Sequence, residues 1–206
     1  MSPLTTTHTH TYTYHTTPHP QVCEVALGYV GNACRAFDVS LGEVGEFSRV
    51  NSTAQSNQVE RIARALVACC TSATLGRDVK PKAIEALGDL ALALNKFFVP
   101  FLPLVMPVLH SAARVPLHVD PSLVNELRES IMQTYTCVLM GMKDAGTPQL
   151  LAPFVAEICV LLRDVAEDDD RDEMVTLKAV GLIGDIGSAL GAEGAVRQQL
   201  AQVRGG

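Results

Sequence analysis

One small-residue-rich apolar phrase recurs along this 206-residue chain, and the recurrence limits the fold more than any single residue does. It reads QVCEVALGYVGNACRAF at 21–37, PKAIEALGDLALAL at 81–94 and TLKAVGLIGDIGSALG at 176–191. Each copy carries a glycine followed by Asn or Asp: Gly31-Asn32, Gly88-Asp89 and Gly184-Asp185. Self-similarity at a long period means that one supersecondary unit is copied and stacked, because such a unit cannot bury its apolar face alone. Stacked arrays present extended surfaces, so the repeat bears on function as well as on fold.

Gly88 and Gly184 are 96 residues apart, too far for one unit. Halving that distance predicts a further copy within ELRESIMQTYTCVLMGM at 126–142. This segment keeps the apolar rhythm in Leu127, Ile131, Tyr135, Val138, Leu139 and Met142, but it lacks the Gly-Asp pair. Placing Tyr135 against the glycines gives steps of 47 and 49 residues. Helical HEAT or armadillo arrays repeat at roughly 40–47 residues. The step from Gly31 to Gly88 is 57, and the excess falls in SLGEVGEFSRVNSTAQSN at 40–57, a stretch rich in Gly, Ser and Asn with no sustained period.

Second helical stretches lie between the copies. FVPFLPLVMPVLHSAARV at 98–115 superimposes on LAPFVAEICVLLRDVAED at 151–168, with Pro100 on Pro153. Leu102, Val105, Val108 and Leu109 then fall on Val155, Ile158, Leu161 and Leu162, which is one face of a 3.6-residue helix. NQVERIARALVACCTSA at 57–73 supplies the equivalent helix of the preceding unit through Val59, Ile62, Ala63, Leu66 and Cys69 or Cys70. Each unit therefore reads as an outer helix, a turn and an inner helix. Pro107 should kink its helix, since it removes an interior hydrogen bond.

The chain is 48% hydrophobic, enough for a core, with 5% aromatics and no Trp. No charge-free apolar run of about eighteen residues appears, so a membrane span is not expected. The six cysteines (Cys23, Cys34, Cys69, Cys70, Cys137, Cys159) form no CxxC pair and read as small buried hydrophobes. Residues 1–20, MSPLTTTHTHTYTYHTTPHP, offer no apolar face and read as a disordered tail. Its histidines, His8, His10, His15 and His19, are joined by no carboxylate or Cys that would complete a metal site.

Net charge is -6, unevenly placed: residues 120–173 hold twelve acids and four bases. An acidic field of this kind argues against nucleic acid, whose phosphates demand a basic face, and suits a basic protein partner. No GxSxG, HExxH, P-loop or kinase motif occurs, and outside the tail the only histidines are His110 and His118. Neither a catalytic constellation nor a cofactor site is expected. Asn32, Asp89 and Asp185 read as structural partners of close helix packing. The run EDDDRDE at 167–173, with Asp168, Asp169 and Asp170 at its centre, is either a solvated interhelical loop or an electrostatic contact to Lys/Arg-rich cargo.

The phrases at 80–94, 124–144 and 180–191 resemble the C-terminal HEAT repeats of the importin-β (karyopherin-β) family, in the family's order, and 21–37 matches the unit before them. The resemblance covers residues 21–192 and makes the chain look like a fragment of a longer array. It implies an all-α right-handed HEAT solenoid of about three complete helical pairs with incomplete ends. The array should span 21–192, with an irregular insert at 40–57 and a partial helix and tail at 193–206. It also implies a non-catalytic nuclear import receptor segment, found in cytoplasm and nucleus, that binds a basic importin-α or cargo segment on an acidic concave face. The matching inner-helix acids are Glu85, Glu126 and Glu129, each equally readable as a solvated helix-face charge. Phe-Gly nucleoporin repeats are a second implied partner, with Phe97, Phe98 and Phe101 as groove candidates. The family's principal Ran-GTP contact lies in an N-terminal region with no counterpart in these residues, so the resemblance does not extend Ran binding to them. A HEAT scaffold subunit of a phosphatase or chromosome-associated complex would share the same repeats.

Overall fold

A computed structural model describes Gly28, Val30 and residues 52–114, 120–191, 196–198 and 200–201. The Thr/His tail, most of the first phrase with Asn32, residues 40–51 of the expected insert, His118 and most of 193–206 lie outside the described residues. Within them there are six α-helices and two 3-10 segments, with no strand. We number the helices α1 (Ser52–Thr71), α2 (Val79–Leu94), α3 (Leu102–Ala113), α4 (Pro121–Asp144), α5 (Val155–Glu167) and α6 (Glu173–Leu190). The 3-10 segments, Asn95–Phe101 and Pro148–Phe154, lead into α3 and α5.

The helix boundaries follow from local chemistry. Asp120 caps α4, its carboxylate accepting from the Ser122 N–H at 3.0 Å, and Pro121 takes the first turn, where its missing N–H costs nothing. Asp172 caps α6 by accepting from the Val175 N–H at 2.8 Å. Gly146, at φ 72°, closes α4 by bending the chain so that the Gly146 and Thr147 N–H groups reach the Lys143 and Met142 carbonyls. Helix α1 begins at Ser52, so the end of the segment read as an irregular insert is helical. Both aligned prolines, Pro100 and Pro153, occupy equivalent places in the two 3-10 segments, so each outer helix starts later than its apolar pattern suggests. Pro107 lies inside α3 without ending it.

The helices pair as α1–α2, α3–α4 and α5–α6, and the second members stack side by side, α2 on α4 and α4 on α6. The first members form a looser outer row, α1 beside α3 and α3 beside α5. The core fills the space between the rows. Ile84, Leu87, Val105, Leu109, Ile131, Tyr135, Met142, Leu161, Leu162 and Leu182 are almost wholly buried. All six rhythm positions of the degenerate copy are buried, including Leu127, Val138 and Leu139. Val79–Ala113 is apolar enough by length and composition to cross a membrane. It is nevertheless divided by the Asn95–Phe101 segment, and most of its apolar side chains, though not Phe97, join the core or pack against it.

Close approach of the inner helices depends on small residues. A Cβ on Gly88 would lie 3.2 Å from the Thr134 backbone, and one on Gly141 would lie 2.8 Å from the Ala91 carbonyl oxygen. Thr134 Oγ1 donates to the Ile84 carbonyl at 2.8 Å across the α2–α4 contact. Four further cross-unit contacts join residues 45 apart: Ser130 to Glu85, Asn125 to Asp170, Lys178 to Gln133 and Lys143 to Ser188. The same lateral register thus links α2 to α4 and α4 to α6. It is shorter than the 47- and 49-residue steps of the aligned phrases because residues that touch are not the residues that correspond.

Candidate functional site

The expected acids fall into two groups. Glu85 on α2 and Glu126 and Glu129 on α4 share the inner row. Glu126 is exposed, whereas Glu85 and Glu129 are half-buried. Glu85 pairs with Lys82 at 3.1 Å and accepts from Ser130 Oγ at 3.1 Å, so part of its charge is already engaged. Partial burial first, then the neighbouring charge of Asp172, raises the Glu129 carboxyl above its ordinary value. Lys178 opposes this, while Glu126 and Glu85 add to it. The negative charges of Asp172, Glu126 and Glu85 thus add at Glu129 beside the Lys178 ammonium, a field that a cation would relieve. Lys178 also reaches Gln133 Oε1, which divides its effect.

Asp172 is the member of this group that the sequence reading did not single out. Its signal was an acid immediately before a helix start, where a cap is expected. The cap fixes the carboxylate at the entrance to α6 and turns a residue of the acidic run toward the inner face.

Asp168, Asp169 and Asp170 do not act together. Asp168 is held by Arg128 of α4 in a salt bridge whose side chains are only 6% and 10% exposed, for Arg128 and Asp168 respectively. The Arg128 hydrogen bond holds the Asp168 carboxyl below the usual carboxylate range, despite its burial. Asp168 Oδ1 also accepts from the Asp170 N–H at 3.0 Å, and Arg171 donates to the Asp168 carbonyl. Asn125 Nδ2 donates to the Asp170 carbonyl at 3.1 Å. The run at 167–173 is therefore a loop clamped onto the preceding unit. Asp169 and Asp170 keep exposed side chains, whereas the Asp168 charge is used internally.

Of the three phenylalanines, Phe98 is fully buried and Phe101 packs against it, with ring centroids 6.0 Å apart. Phe97 is 55% exposed, with the Lys96 ammonium 5.2 Å from its ring centre. The equivalent place in the next unit, Leu150, is also exposed. Cys70, Cys137 and Cys159 are buried, and burial pushes the Cys70 thiol up to about 12. Among the described residues, no group of His, Cys, Asp and Glu is placed to hold a metal ion.

The chain matches a family model described as importin subunit beta-1-like, TPR repeats, over residues 11–203. It is 32% identical over 180 residues to an importin subunit beta-1 of Arabidopsis thaliana, covering 84% of this chain and 19% of that protein. It is 28% identical to the Schizosaccharomyces pombe importin subunit beta-1 over 171 residues, or 81% of this chain and 18% of that protein. The chain thus spans about a fifth of the length of these relatives. A crystal structure of importin beta in an ammonium sulfate condition superposes with a TM-score of 0.67 at 26% identity, over 90% of this chain and 21% of that one. A second, in a polyethylene glycol condition, gives 0.68 at 26% identity over 91% of this chain and 22% of that one. The fold is accordingly the all-α HEAT solenoid that the repeats predicted, and by its family match this chain belongs to the importin subunit beta-1-like family.

Proposed function

We propose that this chain is a segment of a nuclear transport receptor and that its inner helix row binds a basic helical segment, such as that of importin-α or a nuclear-localisation cargo. The role is partner binding without catalysis, in a protein that moves between cytoplasm and nucleus. The observation that carries the reading is the gathering of Glu85, Glu126, Glu129 and Asp172 on adjacent inner helices of a chain in this family. Glu126 and Glu129 make the principal contacts. Glu85, Asp169 and Asp170 add to the field, and Asp168 acts by holding the loop in place. For Phe-Gly nucleoporins the available ring is Phe97, since Phe98 is enclosed.

The test is fluorescence anisotropy with a labelled basic importin-α peptide, across a salt series. Charge reversal at both Glu126 and Glu129 should weaken binding about tenfold at low salt, and the difference should shrink as salt screens the field. Equal affinity of the two proteins at low salt would sink the electrostatic reading.

A further inference from the structure

The bases around the inner-row acids are not held alike. Lys82 pairs with Glu85 at 3.1 Å. Arg128 is closed into its salt bridge with Asp168, and Arg171 donates to the Asp168 carbonyl. Lys178 of α6 differs from all three. Among the described residues its ammonium forms no ion pair, and it donates instead to a neutral acceptor, Gln133 Oε1 of α4. Glu129 and Gln133 stand four residues apart on α4, so their side chains share one face of that helix, one above the other. Lys178 is half-buried, which keeps its charge at the surface that a partner on the inner row would cover.

Of the charges felt by Glu129, those of Asp172, Glu126 and Glu85 repel its own and that of Lys178 attracts it. Lys178 thus supplies part of what a guest Arg or Lys would supply. Its bond to a neutral amide lacks the strength of one between two charges, so the ammonium is a loosely held occupant. Two cations brought against the same acids repel one another, and like charge across an interface is costly. A basic guest must therefore push the Lys178 ammonium aside or accept a weakened field. We propose that Lys178 is an internal competitor of the basic segment on the inner row, a residue that lowers the affinity of this surface until its charge is displaced or removed. The inference rests on the basic-segment reading given above, and it adds the residue that sets how tightly such a segment is held.

The experiment titrates a labelled helical peptide rich in Arg and Lys with the full 206-residue chain. Anisotropy is read at about 0.15 M salt, where the Debye length is about 8 Å. Lys178→Met should bind about fivefold tighter than the unaltered chain, the upper worth of one exposed charge pair. Lys178→Arg keeps the charge and should bind like the unaltered chain. Lys143→Met is the control for net charge. Lys143 also reaches a neutral partner across the α4–α6 contact, Ser188 Oγ at 3.3 Å, but it lies about 21 Å further along α4 than Glu129. Over that distance its charge is screened, and its loss should change affinity less than about twofold. Should Lys178→Met lower the urea midpoint, Lys178→Gln carries the same expectation. Binding by the unaltered chain with no gain in the neutral Lys178 variants would overturn this inference alone. An equal gain in Lys143→Met would overturn it too, by making net charge the cause. Absence of binding in every variant, Lys178→Met included, would overturn the basic-segment reading and this inference with it.

Discussion

Arg128 and Asp168 form a nearly buried ion pair that ties the N-terminal third of α4 to the loop entering α6, joining two successive units of the solenoid. Two charges removed from water are tolerated because each answers the other and because Asp168 gains a backbone N–H as well. Removing one partner leaves the other buried and alone. Asp168→Ala and Arg128→Ala should therefore each cost about 3–5 kcal/mol, read as a fall in the urea midpoint. The double replacement by Leu and Met should recover most of that loss. Two small, additive losses would mean the pair is solvated in solution.

The same pair makes stability depend on pH in a defined direction. The folded Asp168 carboxyl is held below its ordinary value of 3.8, chiefly by the Arg128 hydrogen bond. Its contribution is then fully present above 3.8 and is lost as pH falls through the lower folded value. Urea midpoints taken from neutral pH down to pH ~2 should fall more steeply for the unaltered chain than for Asp168→Asn, which carries no titrating group there. Parallel curves would remove Asp168 as the source.

Glu129 should behave in the opposite sense. Its carboxyl lies above the ordinary 4.5 because partial burial and neighbouring acids disfavour the charge. The resulting destabilisation is absent below 4.5, appears as pH rises through the folded value, and is complete at neutrality. Glu129→Gln should therefore stabilise at pH 7 by at most about 1 kcal/mol, a figure kept small by solvent at a half-exposed site, and the gain should vanish on acidification. The same substitution should weaken the basic peptide, so that stability and binding move in opposite directions. A stability loss at neutral pH would contradict the repulsion argued for this group.

How much of this was readable in the chain depends on the range of the interaction concerned. The helix faces at Leu102/Val105/Leu109 and Val155/Ile158/Leu162 were legible because burial there follows a local period. The degenerate copy around Tyr135 was legible for the same reason, once the spacing pointed to it. Arg128 was not, since nothing near it in sequence marks it as buried and its partner lies 40 residues away. Asp168 looked like one solvated acid among several, and only the packing separates it from Asp169. The inner-face role of Asp172 required knowing which helix it caps and which neighbours that cap brings near. His110 looked isolated because Tyr135 and Phe154 reach it from two other elements.

The glycines of the inner row offer the sharpest contrast, because the same substitution should change sign along the stack. At Gly141 an added methyl would lie 2.8 Å from the Ala91 carbonyl oxygen, a backbone atom that cannot move without separating α2 from α4. Gly141→Ala should therefore destabilise by about 1–3 kcal/mol through overpacking. Gly184 on α6 is exposed, and a methyl there would meet nothing within 4 Å. Its neighbours Leu177 and Val180 are 57% and 64% exposed, so this face of α6 carries no packed helix among the described residues. Gly184→Ala should consequently stabilise the isolated chain by up to about 1 kcal/mol, the difference in helix propensity. Urea midpoints of the two variants on the full chain should move in opposite directions. A loss at Gly184 as large as that at Gly141 would mean that this face of α6 is covered in solution.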